Sequence, residues 1–527
     1  MRASSPPELH PIVRKQMPIP IIDLFAGPGG LGEGFASLRS KLRPLFKIAL
    51  SIEKDFFAHQ TLELRAFFRQ FPHREVPREY YEYLALRISR ADLFAKFPHQ
   101  ARHARREAWR AELGSKDSPP TLVDERIREA IDGDNDWVLI GGPPCQAYSL
   151  VGRSRRKNDP TFATDAKHLL YQQYLRILAM HRPPVFVMEN VKGMLSATIS
   201  KEGIFQKIIN DLTDPLKVVP AADQMAPLTY KIFPLVNSPG GRSKAFAPED
   251  YVVRSELFGV PQSRHRVILL GLRSDWAFQP GVLCPTKNSI PIERAIGDLP
   301  RLRSGLSKEV DGADNWIAAI HVLLHSPALS ESTVSPDLRR EIRKVLQKLN
   351  TCLSRGGEFV PGKPKPKFAR NWLRDPNLAG FCNHSTRGHI REDLHRYLFA
   401  SQFARTNNHT PSLEEFPNAL LPKHANVAAA IAGAMFNDRF RVQSRGRPST
   451  TITSHISKDG HYFIHYDPTQ SRSLTVREAA RLQTFPDNYF FEGPRTEQYK
   501  QVGNAVPPLL ARQIGKIVYE LIEQKHA

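Results

Sequence analysis

The sequence is poor in cysteine and has no long apolar run. Its 527 residues include only four cysteines, which are far apart and form no CxxC pair. A disulfide framework is therefore not expected, and a reducing intracellular environment fits better. The N-terminal segment has no apolar stretch typical of an export signal. No segment approaches the roughly 18 uninterrupted apolar residues of a membrane span, so neither export nor membrane insertion is expected.

The composition is that of a folded, strongly basic protein. Hydrophobic residues make up 41% of the chain, enough for a sizeable core. Lys and Arg number 74 against 53 Asp and Glu, a formal charge of +21. This balance favours a polyanionic partner such as a nucleic acid, because neutralising phosphates releases counterions. A soluble enzyme with a basic surface is the alternative.

Short apolar runs alternate with helical patterns in the first half of the chain. The segments PIIDLFAGPGG, FKIALSIE, DWVLIGGPP, PVFVMEN and RHRVILLGLR are predicted strands, and HLLYQQYLRILAMH is a predicted helix. This alternation predicts an α/β fold with a doubly wound parallel sheet, and thus a Rossmann-like architecture.

Three parts of the chain are distinguished by pattern. Residues 18–275 are predicted to form a catalytic and cofactor-binding domain, with a helical insertion at about 61–136. Residues 276–472 carry loops, short strands and the segment GKPKPKF, and they are predicted to form a second, smaller domain. Helical patterns return in 473–527, and we expect this segment to complete the first domain.

A glycine loop follows the first predicted strand. Gly27, Gly29 and Gly32 form G-x-G-x-x-G, and Glu53 ends the next strand 21 positions beyond Gly32. This is the layout of a nucleotide-like cofactor site, in which the acid binds ribose hydroxyls. Alone it fits a nicotinamide dehydrogenase equally well, and a structural turn remains an alternative.

The segment GGPPCQAYS places Cys145 just beyond the carboxyl end of a predicted strand. Open α/β sheets bind ligands at that edge. A cysteine in a proline-rich loop, instead of an apolar core, favours a reactive thiol. The basic segment RSRRK that follows is a candidate phosphate-binding loop, although a solvated charge run is the default interpretation of such a pattern.

Six motifs in order identify a resemblance to the DNA cytosine-5 methyltransferases. They are DLFAGPGG, GGPPCQAYS, VMENVKGM, PQSRHRVILLG, REAARLQTFPD and QVGNAVPP, and they extend across nearly the whole chain. The resemblance implies that Cys145 is the nucleophile that adds to C6 of cytosine. It also implies that Glu189 holds a proton at N3, that Arg266 donates to the base oxygen and that Arg264 steadies the site.

The resemblance further implies the ligands. S-adenosyl-L-methionine is the expected cofactor, and the matching residues are Asp23, Phe25, Gly27, Gly29, Gly30, Glu53, Pro143, Asn504 and Ala505. Double-stranded DNA is the expected partner, contacted by Ser149, Arg153, Arg155, Arg156 and Lys157, with 276–472 as the target-recognition domain. No metal is expected. The cytosine must be flipped out of the duplex.

The same resemblance predicts a biological setting. We expect a prokaryotic or phage enzyme that is cytoplasmic, associated with the nucleoid and monomeric on DNA. It would serve as a modification methylase, with a cognate restriction endonuclease as the partner, or as an orphan relative.

Some points stay open at the level of sequence. The acid that contacts the cofactor adenine is not identified, and Asp92 and Asp134 are candidates. A zinc site is one interpretation of Cys382, His384 and His389, with Cys352 as the fourth ligand, but their spacing matches no standard zinc motif. An RNA cytosine-5 methyltransferase is the first rival function, but its Cys-Phe-Thr element is missing. A catalytically silent DNA-binding relative is the second, but the Pro-Cys and Glu-Asn-Val elements are intact.

Overall fold

An eight-stranded sheet forms the centre of the molecule. The computed structural model describes residues 17–72, 75–144, 166–195, 198–199, 202–219, 226–236, 246–422 and 439–526. The strands are β1 (Ile19–Leu24), β2 (Phe46–Glu53), β3 (Ala108–Arg110), β4 (Val138–Gly141), β5 (Val185–Val191), β6 (Tyr230–Phe233), β7 (Val252–Arg254) and β8 (His265–Arg273).

The sheet order is β6-β8-β5-β4-β1-β2-β3, with β7 paired to β8. Strands β1 to β5 are parallel to one another, which confirms the predicted doubly wound α/β fold. Strand β8 runs antiparallel to β5, β6 and β7, so the sheet is mixed. The predicted parallel arrangement therefore holds for β1 to β5 but does not extend to β8, because apolar runs reveal strands without their direction.

Sixteen helices are described. They are α1 (Gly30–Ala36), α2 (Phe56–Arg69), α3 (Arg78–Leu84), α4 (Arg90–Lys96), α5 (Pro98–Glu107), α6 (Pro120–Ile131), α7 (Ala166–His181), α8 (Ile204–Thr213), α9 (Ile292–Ile296), α10 (Ala313–His321), α11 (Pro336–Gln347), α12 (Arg370–Leu373), α13 (Arg391–Asn407), α14 (Val476–Leu482), α15 (Arg495–Asn504) and α16 (Pro508–His526). Within the described residues, no helix combines the length and apolar composition needed to cross a membrane.

Both faces of the sheet are covered because successive strand residues point to opposite sides. In β1, Ile22 and Leu24 join a core that includes α6 and α7. Ile19 and Ile21 join the opposite core, with α1 and α16. Helix α16 therefore packs with α1 in the same core as the first strand, although it comes last in the described chain.

The helical insertion contains one strand that its pattern does not reveal. Strand β3 pairs with β2 in parallel at the edge of the sheet. The three residues Ala-Trp-Arg are too short to show the period of a strand. The helices α2 to α5 form their own apolar cluster, which also includes Leu378, Cys382 and Phe490. The insertion thus packs against segments far away in sequence.

Residues 276–472 contain more helix than predicted. Helices α10, α11 and α13 enclose a core that includes Trp316, Leu338 and Tyr397. The prediction of loops and short strands is wrong here. The start of α11 has a readable signal, since Ser335 caps the helix and proline follows it. Two strands, β9 (Gly356–Pro361) and β10 (Gly380–Ser385), form an antiparallel pair.

A fifth apolar cluster joins the C-terminal part to the middle of the chain. It includes Ile292 and Leu299 from α9 and its following loop, and Leu482 and Val502 from α14 and α15. Helices α14 and α15 thus pack on the middle region, whereas α16 packs on the sheet. The domain boundaries at 275 and 472 stay a prediction.

Candidate active site

A cavity of about 500 Å³ lies at the carboxyl ends of β1, β2, β4 and β5. In this fold ligands bind where the strand order reverses, and the reversal lies between β1 and β4. Ten of the predicted site residues line it: Asp23, Phe25, Gly27, Glu53, Pro143, Glu189, Arg264, Arg266, Asn504 and Ala505. Residues from both ends of the chain therefore meet at one site.

The glycine loop wraps one side of the cavity. Gly27 has a φ of 57° and its backbone N–H donates to Glu53 Oε2 at 2.8 Å. A Cβ at Gly27 would meet no atom within 4 Å, so the loop backbone is open to a ligand there. Gly29 and Gly30 are absent from the lining. A Cβ on Gly30 would lie 2.4 Å from the carbonyl oxygen of Val506, so its need for glycine comes from packing.

Two carboxyl groups at the cavity are shielded from solvent, Asp23 fully and Glu53 in part. Burial raises the pKa of Asp23 to about 8, with further contributions from Arg69 and Glu53 of opposite sign. Asp23 Oδ2 has no hydrogen-bond partner within the described chain. Burial also raises the pKa of Glu53, which accepts a second hydrogen bond at Oε1 from the N–H of Asp55 at 2.7 Å. Asp23 therefore holds a proton near neutral pH, and it is able to donate a hydrogen bond.

An ion pair lies opposite the glycine loop. Arg266 Nε is 2.8 Å from Glu189 Oε1, and both side chains are mostly buried. The register explains the pair, because β5 and β8 are antiparallel neighbours and Arg266 faces Val191, two residues from Glu189. A Cβ at Gly142 would lie 3.0 Å from Glu189 Oε2, so this glycine leaves room for the carboxylate. The pair places an acid and a fixed guanidinium at one wall.

Arg264 joins three segments beneath that wall. Its Nη1 donates to the carbonyl oxygens of Ile452 at 2.8 Å and Gly503 at 3.2 Å. Burial lowers its pKa well below the usual value, and the neighbouring Arg266 acts in the same direction. Its Nε has no partner within the described residues, although it is buried. Arg264 therefore fixes the shape of the cavity and retains one donor.

Asn190 orients the loop that leads to the predicted nucleophile. Its Nδ2 donates to the carbonyl oxygen of Pro143 at 3.3 Å, and its Oδ1 accepts from the N–H of Val191 at 2.8 Å. Pro143 and Pro144 both line the cavity. The chain thus reaches the cavity at the residue immediately before Cys145.

Six predicted residues lie outside the described residues. They are Cys145, Ser149, Arg153, Arg155, Arg156 and Lys157. Their assignments as nucleophile and DNA contacts stay predictions.

The structure reveals an acid that the sequence analysis missed. Glu112 follows β3 and lines the cavity with Leu113, and it pairs with Lys54 at 3.0 Å. Asp92 instead closes a capping box with Ser89 at the start of α4, and Asp134 accepts from a backbone N–H two residues on. Recognition of β3 would have placed Glu112 at the carboxyl edge of the sheet.

The histidines near Cys382 serve packing and hydrogen bonding. His384 contacts Thr475 Oγ1 and the carbonyl oxygen of Pro300, each at 2.9 Å. Cys382 is fully buried, and burial raises its pKa to about 12. Within the part of the chain that the structure describes, no three His, Cys, Asp or Glu side chains are placed to hold a metal ion.

Known proteins are similar to this sequence over most of its length. The family described as C-5 cytosine-specific DNA methylase matches residues 120–215 and 367–520. A type II methyltransferase of Bacillus paralicheniformis is 33% identical over 96% of this chain and 100% of its own. A type II methyltransferase of Desulfomicrobium norvegicum is 26% identical over 94% of this chain and 87% of its own. A DNA (cytosine-5-)-methyltransferase of Aeropyrum pernix is 26% identical over 75% of this chain and 82% of its own.

The doubly wound sheet with its cavity at the strand ends is an architecture of enzymes that bind a nucleotide-like cofactor. The chain belongs to the C-5 cytosine-specific DNA methylase family. The predicted enzyme class, DNA (cytosine-5-)-methyltransferase, is thereby confirmed.

Proposed function

We propose that this enzyme transfers a methyl group from S-adenosyl-L-methionine to C5 of a flipped-out cytosine in a specific sequence of double-stranded DNA, through a covalent bond between Cys145 and C6. One observation carries the proposal. A single cavity is lined by the glycine loop, the Glu189–Arg266 pair and Pro144, the residue directly before Cys145.

The glycine-loop side of the cavity would hold S-adenosyl-L-methionine. Glu53 would accept from the ribose hydroxyls, and Glu112 from the adenine amino group. Asn504 and Ala505 would close the cavity from the opposite side. The open backbone at Gly27 and the cavity volume fit such a ligand. When bound, it supplies an electrophilic methyl group.

The chain's own residues would then activate the base. The thiolate of Cys145 adds to C6, and Glu189 delivers a proton to N3, so that C5 becomes nucleophilic. Arg266 donates to the base oxygen while its pairing with Glu189 keeps both groups in register. Transfer of the methyl group to C5 would leave S-adenosylhomocysteine, and the proton on C5 then passes to a base such as water. The bond between sulfur and C6 breaks, Cys145 leaves as a thiolate, and N3 returns its proton to Glu189.

The DNA contacts follow from charge. We propose that Arg153, Arg155, Arg156 and Lys157 neutralise phosphates and that Ser149 contacts DNA beside the flipped base. Such contacts act about equally on all sequences. The type II names of two relatives support a modification role, with a cognate restriction endonuclease in the same prokaryotic cell. We propose a monomer as the acting form.

We propose that 276–472 is the target-recognition domain. Its helices enclose a core of their own, separate from the cores of the sheet. Exchange of this region for that of a related enzyme should change the methylated sequence and preserve the chemistry. An active chimera that keeps the original target would instead assign recognition to the insertion at 61–136.

The function is tested by expression in a host without cytosine methylation. Sequencing of plasmid DNA for 5-methylcytosine should reveal modification at one short sequence. Cys145→Ser, produced at the same level, should leave the plasmid unmodified. Methylation of RNA but not DNA, or no 5-methylcytosine from a folded protein, would contradict the proposal.

A further inference from the structure

A second cavity lies outside the active site. It encloses about 860 Å³ between α9, the end of α13, the segment 442–447 and the loop 465–470. Five arginines line it: Arg301, Arg405, Arg445, Arg447 and the buried Arg472. Among the described residues, the carboxylates in its lining are Glu293, Asp467 and the buried Glu478, and each of them is paired with an arginine. We call this cavity the arginine cleft.

The arginines at residues 445 and 447 stand on a rigid turn. The N–H of Arg447 donates to the carbonyl oxygen of Ser444 at 3.2 Å, and the N–H of Ile292 donates to the carbonyl oxygen of Arg447 at 2.9 Å. The N–H of Glu293 donates to the carbonyl oxygen of Arg445. The backbone of the turn is thus docked on the start of α9, and its side chains project from a fixed base.

The guanidinium of Arg445 is held from one side only. Its Nε donates to Glu293 Oε2, whereas its two terminal nitrogens have no partner within the described residues. The side chain is 68% exposed. Arg301 is held in a similar way, with Nε 3.3 Å from Asp467 and Nη2 donating to Thr469 Oγ1 at 2.5 Å. A surface arginine oriented by a carboxylate keeps its planar fork free for a further ligand.

One segment of the chain leads from the cleft to the active site. From the turn, the chain runs along residues 261–263, just before β8. There the N–H of Ser449 donates to the carbonyl oxygen of Pro261, and Thr451 Oγ1 donates to that of Ser263. Two residues later, Thr453 lines the catalytic cavity. Arg445 precedes Thr453 by eight residues, a span of at most about 29 Å. This length corresponds to roughly eight base pairs of DNA.

We propose that Arg445, held by Glu293, reads a guanine of the target sequence, and that the arginine cleft forms part of the interface with double-stranded DNA. A planar fork with two free N–H groups matches O6 and N7 of guanine in the major groove, the commonest specific contact of arginine. Glu293 is a positioning residue, because it holds Nε and leaves the fork exposed. Arg405, which has no ion pair within the described residues, would contact phosphate.

The inference rests on the proposed function, so the target sequence of the wild-type enzyme is mapped first on a plasmid library. Arg445→Ala should then relax the preference at one G·C pair, with discrimination there falling about 10- to 100-fold. Arg445→Lys should relax the same position, since an ammonium cannot form the two parallel bonds. Glu293→Gln should relax it less. Thermal unfolding and S-adenosylmethionine affinity should match the wild type.

Arg405→Ala is the matched control. It should weaken DNA binding about equally on all sequences. The slope of log affinity against log salt concentration should fall by about one, as expected for the loss of one phosphate contact. If Arg445→Ala also acts equally on all sequences, Arg445 contacts phosphate and the guanine assignment falls. If Arg445→Ala leaves affinity and target unchanged, the cleft lies away from DNA. A wild-type enzyme that modifies no DNA would overturn the proposed function instead.

Discussion

The two cavities of this enzyme differ in how their charged groups are held. Around the catalytic cavity, Asp23 and Arg264 are buried and Glu189 is mostly buried. Arg266 holds Glu189, and backbone carbonyls hold Arg264. In the arginine cleft, Arg445 and Arg301 are exposed and are oriented by single carboxylates. Buried groups suit chemistry that must be the same for every cytosine, because a dry site strengthens electrostatic interactions. Exposed arginines suit contacts that differ between target sequences.

The largest difference between the two cavities is expected at the nucleophile, because only the catalytic cavity performs the chemistry. Cys145→Ser should abolish methylation and spare binding of DNA and cofactor, because an alcohol is a far weaker nucleophile than a thiolate. Wild-type enzyme should form a covalent adduct on DNA containing 5-fluorocytosine, which mass spectrometry of peptides would locate. An adduct on Cys284, Cys352 or Cys382 would overturn the assignment.

A carboxylate in each cavity provides the next test. Glu189→Gln should lower turnover by about 10²- to 10⁴-fold, since the amide cannot deliver a proton to N3. The target sequence should not change. The matched control is Glu293→Gln in the arginine cleft, which should keep turnover on the preferred target within a few-fold of wild type. Single-turnover kinetics on one oligonucleotide would compare the two variants. Equal losses of turnover would contradict the assignment of chemistry to one cavity and of sequence recognition to the other.

The cofactor side should respond to a smaller change. Glu53→Ala removes the acceptor of the Gly27 N–H and of the proposed ribose contacts. We expect S-adenosylmethionine to bind about 1–3 kcal/mol more weakly. Calorimetry would measure the change, and DNA affinity should stay the same. Unchanged cofactor affinity would transfer the ribose contact to another acid.

The catalytic cavity could be predicted from sequence because its residues follow apolar strands. Glu53, Glu189 and the Pro143 loop each come directly after a run whose end is visible in the residue pattern. Glu112 escaped because β3 has only three residues. The direction of β8 also escaped, since an apolar run has the same pattern in parallel and antiparallel sheets.

The arginine cleft could not be predicted in this way. Its walls come from α9, α13 and two loops, and no periodic pattern brings them together. Arg445 and Glu293 are 152 positions apart, and their contact depends on the docking of one turn on one helix start. Single charged residues in loops look alike in a sequence until tertiary structure gives some of them partners.

Buried groups in the catalytic cavity and in the middle of the chain should change the stability of the protein in opposite pH ranges. Burial raises the pKa of Asp23 to about 8, so the folded protein keeps a proton that the unfolded chain releases above about pH 4. Stability from this group therefore falls as pH rises from about 4 to 8. Burial lowers the pKa of His384 and of His465 to about 4. Between about pH 6.5 and 4, the two imidazoles are therefore protonated in the unfolded chain and neutral in the folded protein. Stability from these groups falls as pH drops from about 6.5 to 4.

Two substitutions separate these effects. Asp23→Asn removes the proton that is retained on folding, so its unfolding free energy relative to wild type should rise between pH 5 and 8, by at most about 1.4 kcal/mol per pH unit. For His384→Gln, the unfolding free energy relative to wild type should instead rise only as the pH falls below about 6.5. Denaturant unfolding across pH 4.5 to 8.5 would measure both differences. An Asp23→Asn curve parallel to wild type above pH 5 would show that Asp23 is ionised in the folded protein, and the cavity would then need a cation beside it.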